Sequence, residues 1–348
     1  MNAKQFFKSL IFGMIPVLGC VSCQSSDKSV QTDVNADSNI SKCVHTWVVY
    51  GKDFSWDNVE PVKEMIGSLS VFGNPTQEFF DKCHENGIEV YHAVGGKAED
   101  IDTPEKMNAL VDTYMKECEK GYDGVDLDFE HLDASMQDTY TVFLKTASER
   151  LHDAGKKMSQ CVGYYPAMFD NPDSTKLFHD PAVLAATCDL VRVMCYDMYY
   201  GPGVNTDEFA GRDDCSGMGP TTAYPWAVSN MSYWKERIPA DKLVIGLPAY
   251  SNDYRIDGDL YGVQIYGDLP VKVKGEMPAP RWLCYEKVNV YLYDHEDGTR
   301  HLFYASDRKS TAELLKLTEK LGLSMIGFWH FSTVSDDMWR TTSEWFNR

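Results

Sequence analysis

From residue 45 to the C-terminus, short apolar runs alternate with longer amphipathic segments. Read as strands, the runs are His45–Gly51, Leu69–Phe72, Ile88–Val94, 122–130, Met158–Tyr165, Leu190–Tyr196, Leu243–Tyr250 and Met325–Phe331. Helical spacing between them predicts helices over Gln77–Asn86, Pro104–Lys120 and Asp138–Ala154. Gly87, Gly121 and Gly155 are their stop signals, and Pro104 suits a first helical turn. Strands interleaved with helices argue for a parallel sheet, and a count of eight favours a single closed (β/α)8 TIM barrel. The rival, a doubly wound open sheet, would more often carry a glycine-rich dinucleotide turn after strand one, which is absent here.

Two connections are longer than the rest. One, Gly201–Pro225, follows strand six and is rich in Gly, Asp and Thr. The other, Ser251–Leu323, separates strands seven and eight and contains strand-like Lys287–Tyr293 and Arg300–Tyr304 around an Asp297-Gly298 turn. Both follow the C-terminal ends of their strands, where barrel enzymes build their sites. The expected architecture is therefore one barrel with an elaborated loop between strands seven and eight, and no independent second domain.

The first residues read as targeting rather than fold. Lys4 and Lys8 form a positive region, and Leu10–Gly19 is an apolar run too short to span a membrane. The run ends in Val17-Leu18-Gly19-Cys20, which resembles the lipobox of bacterial lipoproteins. That resemblance implies a signal peptide over 1–19, lipid attachment at Cys20, and an anchor at the bacterial cell envelope. Ordinary secretion is the alternative, and Cys23 is a second candidate for the lipid. Residues Gln24–Ser41 are polar and lack aromatics and periodic apolar positions, so 20–42 reads as a flexible tether. The barrel is expected over 43–348.

Composition narrows the partners. The chain carries a formal charge of −19, and loss of Lys4 and Lys8 takes it to −21. So acidic a protein repels nucleic acid and anionic membrane surfaces, whereas a neutral sugar polymer is compatible. Cys161, Cys188 and Cys195 lie inside apolar stretches and read as buried small residues. No cysteine–histidine spacing suggests zinc, no cofactor is implied, and disulfide pairing stays open. A monomer is expected.

The chemistry concentrates in Tyr122-Asp123-Gly124-Val125-Asp126-Leu127-Asp128-Phe129-Glu130. Strand side chains alternate faces, so Asp126, Asp128 and Glu130 point one way, with Val125, Leu127 and Phe129 opposite. Carboxyl groups so close cannot all ionise freely, so at least one pKa should be pushed up, and a raised carboxyl beside an ionised one is the arrangement acid catalysis of glycoside cleavage requires. An acidic solvated edge strand or a divalent-cation site fits poorly, because hard cations want loop oxygens and water rather than apolar alternates.

This segment matches the DxxDxDxE signature of glycoside hydrolase family 18, which the chain resembles. Val193-Met194-Cys195-Tyr196-Asp197 is similar to that family's MxYD motif. Ile245-Gly246-Leu247-Pro248-Ala249-Tyr250 is similar to its strand-seven segment, and Gly327-Phe328-Trp329 to its strand-eight tryptophan. The compact body looks most like the di-N-acetylchitobiase branch, with the spore-cortex N-acetylglucosaminidase branch a near second. The resemblance implies retaining, substrate-assisted hydrolysis of β-1,4-linked N-acetylglucosamine glycans. It further implies that Glu130 is acid then base, that Asp128 holds the acetamido N–H, and that Asp126 shares a proton with Asp128. Tyr196 would donate to the acetamido carbonyl, and Trp329 would stack on the sugar. Asp197, Met194 and Tyr250 would complete the pocket.

Plainer readings stand beside these. Asp123 is off the alternating register and fits a structural turn equally well. Asp126 and Tyr196 read as structural groups if buried and satisfied, Asp197 as a cap of the following loop, and Trp329 as core. Tyr164, Tyr165, Tyr199, Tyr200 and Trp226 are candidate sugar-stacking residues that are core by default. His131 reads as solvated, and His330 as facing the helices. The competing functions are a non-catalytic carbohydrate-binding barrel, which the intact Glu130 argues against, and a surface scaffold, which leaves the carboxylates unexplained.

Overall fold

The computed structural model describes residues 42–130, 132–163, 178–199, 218–257 and 261–348, all within one compact unit, Ala36–Arg348. Cys20, Cys23, His131, Tyr164, Tyr165 and Tyr200, the expected signal and tether, and most of Gly201–Pro225 lie outside the described residues.

Seven strands follow one another: β1 (Cys43–Val49), β2 (Ile66–Phe72), β3 (Glu89–Val94), β4 (Gly124–Leu127), β5 (Lys157–Val162), β6 (Leu190–Met194) and β7 (Leu243–Pro248). The chain then leaves for an antiparallel sheet of β8 (Ser251–Arg255), β9 (Tyr261–Ile265), β10 (Arg281–Leu283), β11 (Val288–Asp294) and β12 (Arg300–Ala305). It returns as β13 (Met325–Trp329). Strands β1 to β7 and β13 close a parallel barrel in the order β1-β13-β7-β6-β5-β4-β3-β2, and the inserted sheet runs β10-β11-β12-β8-β9. The (β/α)8 barrel predicted from the alternation is therefore present.

Helices α1 (Trp56–Val59), α2 (Gln77–Glu85), α3 (Pro104–Cys118), α4 (Gln137–Asp153), α5 (Pro181–Thr187), α6 (Tyr224–Lys235), α7 (Arg308–Lys320) and α8 (Asp336–Phe346) fill the connections. Side-chain oxygens open several of them. Thr76 accepts from the Phe79 N–H, Thr103 from that of Lys106 ahead of Pro104, and Asp307 from those of Lys309 and Ser310. Among the described residues no helix is long and apolar enough to cross a membrane.

Period-two alternation sorts every barrel strand. On β4 and just beyond it, Val125, Leu127 and Phe129 face outward into a core with Tyr140, Phe143 and Leu144 of α4. Inward residues stack in three layers. Leu190, Val244 and Met325, with Cys43, form an apolar floor. His45, Ser68, Asp126, Ser159 and Arg192 make a polar middle, with the Tyr91 ring against the Arg192 guanidinium. Trp47, Cys161, Tyr196 and Tyr250, with Phe72, Met194 and Trp329, make an aromatic upper layer.

Three expectations need correction. The carboxylate strand ends at Leu127, so Asp128 and Glu130 sit just past it, although the Asp128 N–H still reaches Val94 O at 2.7 Å. Strand seven stops at Pro248, where the ring removes a ladder donor, and Ser251 opens the inserted sheet. That insertion is a five-stranded sheet rather than a loop with two strand-like stretches. The Asn252 side chain ties it to the segment after β6, donating to Tyr199 O at 2.9 Å and Gly219 O at 3.1 Å.

Candidate active site

The barrel mouth gathers Asp126, Asp128, Glu130, Met194, Tyr196, Asp197, Tyr250 and Trp329, which lie on or just past the C-terminal ends of four strands. The carboxylates form a gradient from interior to solvent. Asp126 is buried, Asp128 half-buried and Glu130 exposed.

Asp126 sits in a nest of donors. Ser70 of β2 donates to its Oδ2, Ser159 of β5 donates to Oδ1 at 2.5 Å, and the Cys161 thiol lies 3.4 Å from Oδ2. Asp128 is different. Its Oδ1 is buried without a hydrogen-bond partner in the protein. Burial first, then the negative charges of Glu130 and Asp126, push its carboxyl up to about 8. The carboxylate group at the mouth thus retains a proton at neutral pH, which general acid catalysis needs.

Tyr196 closes the other side. Its hydroxyl is also buried and unpartnered, and its phenol is pushed well above the usual range by burial, then by Cys161 and the nearby Asp128. Its ring packs edge-on against Trp47 at 6.0 Å and Tyr250 at 6.2 Å. Trp329 is half-buried above this layer, 6.3 Å from Trp47 and 5.6 Å from Phe72. Room for these rings comes from Gly246 of β7. A Cβ there would lie 2.6 Å from Val193 O and 3.1 Å from both the Trp47 and Tyr196 rings.

Asp197 takes a left-handed φ of 59°, a conformation that Asp tolerates better than most residues. Its Oδ1 accepts from the Tyr250 hydroxyl and, at 3.0 Å, from Gln264 of β9. The inserted sheet thus contributes directly to the mouth. Met194 packs beneath, on the aromatic layer.

Other candidate residues have structural roles. Asp123 is a strut, its Oδ2 accepting from the Val90 N–H at 2.8 Å and lying 3.0 Å from His84 Nε2. Trp226 is core on α6, whereas Tyr199 is half-buried. His330 does not face the helices: its ring lies 5.6 Å from Tyr266, which follows β9. Cys43, Cys83, Cys118, Cys161, Cys188, Cys195 and Cys284 are all free thiols. The possible metal ligands His295, Asp297 and His301 lie together on the β11–β12 hairpin. They are already engaged there, His295 with Asp297 and His301 with the buried Asp253, each at 2.9 Å.

Sequence reasoning missed Trp47, Ser70, Ser159, Arg192, Gln264 and Tyr266. The signal for Ser70, Ser159 and Arg192 was present as polar residues at inward positions of otherwise apolar strands. Gln264 and Tyr266 carry no such local signal.

The family model described as glycosyl hydrolases family 18 matches residues 24–333. Among curated proteins, the chain is 21% identical over 222 residues to an uncharacterised glycosylase, YvbX, of Bacillus subtilis, covering 63% of this chain and 60% of that protein. It is 26% identical over 281 residues to a chitinase-like effector of Moniliophthora roreri, covering 70% and 66%. The chain thus spans from about half to two thirds of the length of the curated relatives it matches. Among solved structures, a chitinase from Chromobacterium violaceum superposes with a TM-score of 0.67 at 18% identity, covering 88% of this chain and 100% of that one. The Bacillus cereus spore cortex-lytic enzyme SleL gives 0.71 at 15% identity, covering 87% and 74%. At these identities the structural likeness is one of fold.

Proposed function

We propose, from the premise that this chain belongs to family 18 of the glycosyl hydrolases, that it cleaves β-1,4-linked N-acetylglucosamine glycans with retention, using the substrate's acetamido group as nucleophile. The observation that carries this reading is the pair of buried, unpartnered polar atoms at the mouth, the Tyr196 hydroxyl and Asp128 Oδ1. Buried polar atoms without partners are costly and call for an explanation. An acetamido group supplies both complements, a carbonyl to accept from Tyr196 and an N–H to donate to Asp128.

The chemistry then follows from position. Glu130, the exposed carboxyl, protonates the glycosidic oxygen as the bond to the anomeric carbon breaks. The acetamido oxygen closes on that carbon, giving an oxazolinium whose positive charge Asp128 stabilises. Glu130, now a carboxylate, takes a proton from water, and the resulting oxygen attacks the anomeric carbon and reopens the ring. Two displacements give retention. Trp329 supports the sugar face, and Tyr250 and Gln264 hold Asp197 at the rim. Chitin oligosaccharides, the chitobiose core of N-glycans and peptidoglycan all present the required unit. We place the enzyme, as a monomer, at the cell envelope through a lipid on Cys20, a reading that rests on the lipobox-like sequence.

The test is incubation of the purified chain with end-labelled N-acetylglucosamine oligomers, a free N-glycan and a peptidoglycan digest, with products read by mass spectrometry. Cleavage of any one, abolished in Glu130→Gln with sugar binding kept, is the expected result. Sugar binding without product from the unaltered protein would replace this reading with a carbohydrate-binding barrel.

A further inference from the structure

Beneath the carboxylates lies a fully buried arginine that the proposed reaction does not use. Arg192 projects inward from β6, its Nε 3.3 Å from Asp126 Oδ1, and both side chains are completely buried. The same Nε donates to Ser159 Oγ at 3.3 Å, while Nη1 donates to His45 O and Nη2 to Ser68 Oγ, each at 3.1 Å, and the guanidinium stacks over the Tyr91 ring at 5.3 Å. These contacts fix its position to one geometry.

We propose that Arg192 is a positioning residue that holds Asp126 as a permanent carboxylate, so that the mobile proton of the three-carboxylate ladder is confined to Asp128 and Glu130. The inference deepens the hydrolytic reading above and rests on it. Its ground is the donor set. An arginine has no acceptor and does not lose its charge, so it cannot receive a proton from Asp126. Ser70, Ser159 and Cys161 all point donors at the same carboxylate. Protonating Asp126 would also leave a buried guanidinium without a counter-charge, which is strongly unfavourable. The sharing of a proton between Asp126 and Asp128 expected from the family resemblance is thereby blocked in this chain. Asp126 instead acts as a fixed negative charge under Asp128, in keeping with the direction in which the Asp128 carboxyl is displaced.

Few other groups around the pair titrate. His45, beside Arg192, is held down to about 3 by burial, then by Arg192 and Lys157, and stays neutral. Cys161, Tyr91 and Tyr196 are pushed up, by burial above all, and stay neutral too. The carboxyl displaced into the neutral range is that of Asp128.

The experiment is the pH profile of kcat for the unaltered protein, Arg192→Met and Arg192→Lys on whichever glycan is cleaved. Removing the cation makes the ladder bind its proton more tightly, so the alkaline limb in Arg192→Met moves up by about one pH unit or more. Arg192→Lys returns most of that shift. A limb that stays in place while kcat falls would reduce Arg192 to packing and overturn the proposal. A second measurement needs neither turnover nor a folded Arg192 variant. Carboxyl-carbon NMR of the unaltered protein with isotope-labelled aspartate, assigned with Asp126→Asn and Asp128→Asn, should show the Asp126 signal holding its carboxylate position across the range in which Asp128 titrates. Titration of Asp126 within that window overturns the proposal even if activity is never found. Absence of hydrolysis by the unaltered protein would instead strike the functional reading and leave the NMR result to decide this one.

Discussion

Tyr196→Phe should make this protein more stable and far less active. The hydroxyl lies buried without a partner, while the ring is fully used against Trp47 and Tyr250. Phenylalanine keeps the ring and its edge-on contacts, so no cavity opens. What disappears is an unsatisfied polar group, whose burial costs about 1–3 kcal/mol. The lower end applies at a barrel mouth, so the gain is about 1 kcal/mol, or a rise in Tm on the order of 2 °C for a domain of this size. The same hydroxyl is the proposed donor to the acetamido carbonyl as that oxygen attacks. Deleting one donor aimed at a reacting oxygen costs roughly 100-fold in kcat. Calorimetry and steady-state kinetics on the same two preparations measure both terms. A lowered Tm with unchanged kcat would refute the argument, because it would give the hydroxyl a structural partner and no substrate.

Three further outcomes follow from the same geometry. Asp123→Ala removes the acceptor that the Val90 N–H uses at 2.8 Å, so it should cost about 1–2 kcal/mol in urea denaturation and leave kcat unchanged. A large loss of kcat would make Asp123 more than a strut. Gly246→Ala puts a methyl 2.6 Å from Val193 O, a backbone atom that cannot turn aside. Overpacking of this kind costs about 1–3 kcal/mol, and displacement of Trp47 and Tyr196 should lower kcat as well; a variant matching the parent in both assays counts against the packing described here. The raised Asp128 carboxyl ties stability to pH. The folded state keeps a proton that the unfolded chain releases near pH ~4, so this contribution is full below that point. It is lost as pH rises through the folded value of about 8. Asp128→Asn should flatten the decline, and identical slopes in a denaturation series across that range would contradict it.

The barrel was legible because its signal is repetitive. Each strand is a short apolar run, each connection a longer amphipathic one, and eight repeats leave little choice of fold. The carboxylates were legible for a similar reason: alternation over 122–130 settles which side chains share a face without reference to any other strand. The inserted sheet was not. Its strands β8, Ser-Asn-Asp-Tyr-Arg, and β9, Tyr-Gly-Val-Gln-Ile, are short and polar, and they form because β8 pairs with the distant β12 and β9 adds to its other edge. Gln264 and Tyr266 could not be placed before that pairing was known. Trp47 escaped notice for another reason. Nothing in His-Thr-Trp-Val-Val distinguishes a tryptophan on the inner wall from one on the outer, and only closure of the barrel brings it to Tyr196.

The inner wall itself carries the strongest link between sequence and chemistry. A barrel of this class ordinarily fills its interior with branched aliphatic side chains. Here the floor obeys that rule with Leu190 and Val244, beside the equally apolar Met325, and the layer above breaks it with Ser68, Ser159, Asp126 and Arg192. Packed aliphatic residues would commonly be as stable as this ion pair or more so, since desolvating two charges offsets most of their attraction. Stability therefore does not account for the middle layer. Its position does. It lies directly beneath Asp128, where a fixed negative charge raises the proton affinity of the carboxyl above it. Swapping Asp126 and Arg192 together for leucine and methionine should leave the barrel folded and the site unable to hold its proton at neutral pH. That combination of a sound fold and a lost alkaline limb would separate the electrostatic role of this layer from its role as filling.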